Sequence, residues 1–106
     1  MPEGGAEGGP GEGDTWQRLD LWLWCARVAK TRAECARQVS AGRVRINRQP
    51  TEKPHAKLRC GDVLTLTIAG RVRVWRVRAM AARRGPPAEA RDLYEDLSDP
   101  ADENRA

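Results

Sequence analysis

Apolar positions fall into two rhythms along this chain, and each predicts its own kind of element. In residues 16–30, WQRLDLWLWCARVAK, the residues Leu19, Trp22, Leu23 and Ala26 recur at i, i+3, i+4 and i+7. That spacing lines one face of a helix running on from Trp16, with Asp14 or Thr15 as the N-cap that accepts a free first-turn N–H. Trp16 and Trp24 lie off the central stripe. A second helix is marked at both ends. Thr31 is followed three residues later by Glu34, the capping-box pattern, and Gly42 supplies the left-handed residue that closes a helix. Between them Ala36 and Val39, with Ala33 or Cys35, form a stripe of small residues that lets two helices approach closely. Arg32 and Arg37 are expected to share the opposite face, with Lys30 just ahead of the cap.

After Gly42 the period becomes two. Val44 and Ile46 point one way, Arg43 and Arg45 the other. Asn47–Arg48 reads as a turn, since Asn tolerates positive φ. Gln49 to Lys57, with Pro50 and Pro54, reads as a loop. Gly61–Asp62 turns the chain into a strand in which Leu64, Leu66 and Ile68 alternate with Thr65 and Thr67. Ala69–Gly70 turns it again into RVRVWRVRAM. There Val72 and Val74 share a face, then Trp75, Val77 and Ala79 do. The slip in phase predicts a β-bulge between Val74 and Trp75, with Arg71, Arg73, Arg76 and Arg78 on the polar side throughout. Residues 81–87 break the pattern, and residues 89–97, EARDLYEDL, predict a short helix with Leu93, Tyr94 and Leu97 on its apolar side. The order α-α-β-β-β-α describes an α+β domain with a small, mainly antiparallel sheet.

Charge sharpens this picture. The 106 residues carry a net +4, but the signs are segregated. Residues 1–14 hold four acids and no Lys or Arg, residues 15–85 sum to +13, and residues 86–106 sum to −5. Residues 1–14 also hold six Gly and two Pro, too little to bury to offset ordering entropy, so they are expected to be a disordered acidic tail. The division that follows is a tail over 1–14, a binding domain with an extended strand over 15–80, and a linker, short helix and acidic tail over 81–106. The N-terminus lacks the basic and apolar regions of a signal peptide, and no apolar run approaches the roughly 20 residues that span a bilayer. A soluble, cytoplasmic protein with no membrane partner is expected. An Arg-rich composition explains Arg over Lys but not the removal of acids to the tails. A folded unit at +13 repels itself unless it meets a polyanion, which points to nucleic acid.

Little in the chain suggests catalysis. The one His, His55, lies in a Pro-bounded loop and is expected to be exposed. Cys25, Cys35 and Cys60 have no CxxC spacing and read as small buried hydrophobes rather than metal ligands. No cofactor, metal site or catalytic residue is expected. Asp20 is expected to pair with Arg27 or with charge near Lys30, and Asp62 to serve a turn. By contrast Arg32 and Arg37 on the second helix lie close to Arg43 and Arg45 through Gly42, and Arg48 and Lys57 extend the group. Arg suits phosphate because its planar fork donates two hydrogen bonds. Few aromatics accompany these residues, which favours backbone and shape readout of folded RNA over single-strand stacking. DNA competes as a partner, but Gln38 is the one base-reading candidate on the second helix.

Several stretches together resemble the RNA-binding domain named after small-subunit ribosomal protein S-four. They are Arg18 to Asp20 (RLD), residues 30–47 (KTRAECARQVSAGRVRIN), Lys53–Pro54, and Cys60 to Leu66 (CGDVLTL). With the opening RLDLWLWCARVAKTR, the later Arg-rich strand and EARDLYED, residues 16–97 look like the bacterial heat-shock protein fifteen family. The resemblance implies an αL-type RNA-binding fold, two packed helices on a small sheet, with a short C-terminal helix. It also implies a non-catalytic protein that binds ribosomal RNA of the large ribosomal subunit and recycles stalled subunits carrying a nascent chain on transfer RNA. Carried over by position, the RNA face comprises Lys30, Thr31, Arg32, Arg37, Gln38, Arg43, Arg45 and Lys57. The usual turn in the family is Asn-Gly. Asn47–Arg48 departs from it, so a different turn is expected and Arg48 becomes an added contact. A monomer is expected. General RNA or DNA binding is the competing reading, and an RNA-modifying system another, although the chain is too short to hold such a catalytic domain.

Overall fold

The chain enters the fold as a strand, not as a helix. In the computed structural model, which describes residues 16–98, the elements in chain order are β1 (Trp16–Arg18), α1 (Leu19–Cys25), α2 (Arg32–Ser40), β2 (Val44–Ile46), β3 (Gln49–Thr51), β4 (Lys57–Arg59), β5 (Val63–Ile68), β6 (Arg71–Val77), α3 (Pro87–Arg91) and β7 (Tyr94–Asp96). β1 and β4 form a two-stranded antiparallel ribbon. This pairing draws Trp16–Arg18 out straight and delays α1 to Leu19. Arg18 occupies the N-cap without a side-chain cap bond. The Leu19 and Asp20 amides instead donate to the carbonyls of Ala56 and Pro54, both at 2.9 Å. Orphan first-turn donors are thus satisfied from the loop before β4. The expected caps Asp14 and Thr15, and the tails over 1–14 and 99–106, lie outside the described residues.

α2 follows its local signals. Thr31 Oγ1 accepts the Glu34 N–H at 3.0 Å, and Gly42 closes the end at φ +78°. The chain then builds a five-stranded antiparallel sheet in the order β3-β2-β5-β6-β7. The stretch expected as a loop from Gln49 to Lys57 thus contributes β3 and the first residue of β4. The Asn47–Arg48 turn is not the different one expected. Both residues take positive φ, +52° and +71°, and Ile46 pairs with Gln49 across them. This is the two-residue geometry that Asn-Gly ordinarily serves, with an Arg in the left-handed region at a cost of about 1 kcal/mol.

No bulge interrupts β5 and β6. Their register runs unbroken from Val63↔Arg76 to Ile68↔Arg71, pinned by the tight Ala69–Gly70 turn. Strict alternation therefore puts Trp75 and Val77 on the helix-covered face together with Arg71 and Arg73, both half-buried. Arg71 and Arg73 leave the polar side expected for them, and Val72 takes the solvent face at 55% exposure. The core lies between this face and the two helices. Trp22, Leu19 and Leu23 of α1 and Val39 of α2 meet Leu64 and Leu66 of β5, all within 1% of full burial.

The expected helix over EARDLYEDL splits in two. α3 ends at Arg91, and Tyr94–Asp96 joins the edge of β6, with Val77 opposite Tyr94. A nine-residue helix is marginal alone. An open sheet edge offers a full ladder, and the Tyr94 ring stacks on Trp75 at 3.7 Å and 9° and meets Trp22 edge-on at 6.4 Å. Cys25 and Cys35 are buried as expected, and burial pushes the Cys35 thiol up to about 11. Cys60 is exposed, because the β4–β5 turn carries it outward. His55 is exposed.

The segment that breaks the pattern after β6 closes the domain. Gln17 and Ala81 exchange two hydrogen bonds, at 2.7 and 3.0 Å, and Trp22 Nε1 donates to the Ala79 carbonyl at 2.9 Å. Arg84 donates to the carbonyls of Trp24 and Ala29, at 3.0 and 3.3 Å, with its guanidinium 5.5 Å from the Trp24 ring. Arg27 Nε donates to the Gly85 carbonyl at 2.9 Å. Among the described residues no helix is long and apolar enough to cross a membrane.

Candidate nucleic-acid interface

An α-helix advances about 100° per residue, so positions five apart diverge by roughly 140°. Arg32 and Arg37 therefore do not share a face, and the expected patch divides into two lobes.

The first lobe lies where α2 ends and β2 begins. Gly42 folds the chain sharply there and brings Arg43 back beside the helix. Arg37, Gln38 and Arg43, with Glu34, Ser40 and Ala41, line an open groove of about 510 Å³. Glu34 sits among the cations. Its carboxylate accepts from Arg37 and, at 3.3 Å, from Gln38 Nε2. The Arg37 hydrogen bond first, then that of Gln38, hold its carboxyl below the usual carboxylate range, and Arg43 adds to the effect. At neutral pH Glu34 is thus ionised and keeps Arg37 and Gln38 along the groove wall. The capping-box carboxylate has turned from the helix start to the groove.

The second lobe is built on a buried acid. Asp20 is 4% exposed, and Arg18 donates to it through Nε at 3.2 Å and Nη2 at 3.0 Å. Arg32 Nη2 stands 3.5 Å from Oδ1, the oxygen that also accepts from Arg18 Nε. Asp20 therefore pairs with Arg18 and with Arg32, a charge near Lys30, and not with Arg27. Both guanidiniums remain about half exposed, at 49% and 43%. Arg18 is opposite Lys57 in the ribbon, and the Lys57 ammonium lies 4.7 Å from the Trp16 ring centroid.

The other sequence candidates are dispersed. Lys30 is exposed in the loop before α2, and Thr31 is engaged as the N-cap. Arg45 projects from the face of the sheet away from the helices, opposite Pro50 and Thr65. Arg48 stands at the β2–β3 turn. Asn47 anchors that turn through Asp62 at 3.1 Å and the Val63 amide at 2.9 Å. Asp62 also accepts from the Arg59 amide, so it serves a turn as expected. Two exposed cations escaped the sequence reading, Arg18 and Arg59. A signal existed, because Lys57 and Arg59 alternate about buried Leu58 with period two, but the loop assignment hid it. These lobes can donate many hydrogen bonds to anionic oxygens. Among the described residues no group of three or more His, Cys, Asp or Glu could hold a metal ion.

Comparison with known proteins bears on the family and the fold. Residues 17–64 match the S4 domain. Over 82 residues the chain is 38% identical to Heat shock protein 15 of Escherichia coli (strain K12), covering 77% of this chain and 61% of that protein. It is 34% identical over 87 residues to the Heat shock protein 15 homolog of Aeromonas salmonicida, covering 82% of this chain and 65% of the relative. A solved structure, described as the trimeric structure of Vibrio cholerae Heat Shock Protein 15, matches with a TM-score of 0.75 at 29% identity. It covers 85% of this chain and 88% of that one. The chain spans somewhat under two thirds of the length of the curated relatives it matches.

Proposed function

Because the chain belongs to the heat shock protein 15 family and is built on an S4-type RNA-binding domain, we propose that it binds ribosomal RNA of the large ribosomal subunit. In this reading it acts without catalysis, on stalled subunits that still carry a nascent chain on transfer RNA. One observation carries the proposal. The cations of the two lobes lie on α2, at the α2–β2 corner and on the ribbon, and the acids Asp20 and Glu34 beside them are already engaged by Arg. Those two carboxylates are thus held by guanidiniums, while a third acid, exposed Glu52, places its carboxylate close to Gly42 beside the first lobe. The RNA-facing set we propose is Lys30, Arg32, Arg37, Gln38, Arg43 and Lys57, joined by Arg18. Arg45, Arg48 and Thr31 are secondary. Sucrose-gradient sedimentation of lysate under heat stress tests the reading. Co-migration with free large subunits supports it. An even spread over all RNA or the nucleoid favours a general nucleic-acid binder. The trimeric description of the Vibrio cholerae relative counts against the monomer expected from the sequence. Analytical ultracentrifugation of the free protein distinguishes the two.

Glu34 tempers this surface. Before Arg37 can grip a phosphate, it must exchange a carboxylate for it. Replacing Glu34 with Gln is expected to tighten RNA binding roughly three-fold at low salt, with the gain shrinking as salt is added. Filter binding at two salt concentrations reads this directly. Unchanged or weaker binding would show that Glu34 positions Arg37 for RNA rather than competing for it.

A further inference from the structure

The β1–β4 ribbon has a face of which the RNA surface described so far uses Arg18 and Lys57 but not Trp16 or Arg59. Trp16 is paired with Arg59, and Arg18 with Lys57. Directly opposed residues, and residues two apart on a strand, point to the same side. All four side chains therefore share one face, and all four are exposed. The intervening residues point inward, where Leu58 is fully buried and Gln17 is bonded to Ala81. The ribbon itself contains no acid, and the two carboxylates that touch it are both engaged, Asp20 buried and held by Arg18 and Asp62 accepting from the Arg59 amide and from Asn47. Trp22 and Trp75 are 0% and 6% exposed and Trp24 is partly buried, whereas Trp16 is 43% exposed. Its ring meets a cation, Lys57, rather than the core.

We propose that this face binds an unpaired nucleotide next to the helical RNA, with the base stacked on Trp16 and its flanking phosphates held by Arg18, Lys57 and Arg59. This rests on the RNA-binding reading above and deepens it. A π-face among three cations suits a nucleotide, whose base stacks while its phosphates bond the surrounding donors. A paired base has both faces covered by its neighbours, so only an unstacked base can use the indole. The scarcity of aromatics across the whole chain argues against stacking in general, but one exposed ring in a cationic strip is enough for one base. The Arg18–Asp20–Arg32 bridge runs from this strip to α2, so the two sites are arranged to meet a junction between paired and unpaired RNA.

The test uses the full chain and two probes: a blunt-ended RNA hairpin, and the same hairpin with a short single-stranded extension. The wild-type protein is expected to prefer the extended probe about ten-fold. Trp16→Ala should abolish that preference while leaving binding to the blunt hairpin unchanged, and Trp16→Phe should retain most of it. Replacing Arg37 and Arg43 by Ala should weaken both probes alike. Thermal midpoints check folding, which a surface ring should hardly influence. Equal binding of both probes by the wild type, or an undiminished preference in Trp16→Ala, overturns the nucleotide site and leaves the RNA-binding reading standing. Failure of the wild type to bind either probe overturns both.

Discussion

Replacing Tyr94 by alanine is expected to destabilise the domain by about 3 kcal/mol, the cost of deleting a large ring from a packed aromatic cluster. Tyr94 is only half-buried, which holds the value at the low end for such changes. It is nonetheless the ring against which Trp75 lies flat and Trp22 lies edge-on. It also fixes the edge strand β7, whose far end is secured by the Leu97 amide donating to the Val74 carbonyl at 2.7 Å. Removing the ring loosens the strand and uncovers Trp75 together. For a domain of this size the thermal midpoint should fall on the order of 15 °C, and the tryptophan emission should shift to the red. Tyr94→Phe keeps the ring and is expected to stay close to wild type. A midpoint unmoved in Tyr94→Ala would mean that the C-terminal segment is an ornament on the domain and not part of its core.

A second large effect concerns affinity. Arg37 and Arg43 line the groove at the α2–β2 corner, whereas Arg76 and Arg78 are exposed at the far end of β6, with Arg76 paired to Glu95 at 2.8 Å. Each pair contributes the same formal charge. If phosphate sits in the groove, replacing Arg37 and Arg43 by Ala removes about two contacts and lowers the slope of log affinity against log salt by roughly 1.5. The same substitutions at Arg76 and Arg78 should change affinity mainly through net charge and leave the slope nearly intact. Neither pair supports the core, so both variants should remain folded. Isotherms at three salt concentrations decide the matter. Equal losses of slope would reduce the interface to a diffuse positive field, and a larger loss at Arg76 and Arg78 would move it to the sheet.

Features set by neighbours in sequence were legible. The Thr31 N-cap, the Gly42 stop and the alternation in β5 each depend on a few adjacent residues, and the structure has all three, although the Glu34 half of the capping box does not form. What escaped depends on distant partners. Nothing near Trp16 announces β4 some forty residues later, so three strand residues passed for the start of a helix. Tyr94 looks helical until the open edge of β6 is known. The predicted bulge failed for a related reason. Val72 and Val74 invited burial, but the Ala69–Gly70 turn had already set the register and left Val72 outside. The site was half legible. Which residues are basic is evident, but their grouping follows from where each helix turn points, and Arg18 and Arg59 needed the ribbon to come into view.

The bonds from residues 79–85 back to α1 bear on how the chain folds as it is made. The indole N–H of Trp22, at the centre of the core, has its acceptor 57 residues downstream, and Gln17 has its partner 64 residues away. The stretch 17–64 that matches the S4 domain holds neither of these partners. Cut out by itself, it would bury an indole donor with nothing to receive it, a penalty of about 1–3 kcal/mol in a unit with little stability to spare. During synthesis the two helices can form and collide early, but they cannot lock until the chain beyond Gly85 has emerged. A nascent chain at that stage still shows the ribbon's inner side and the last turn of α1 to solvent. Closure is a late, long-range event, slow in the way of folds dominated by non-local contacts.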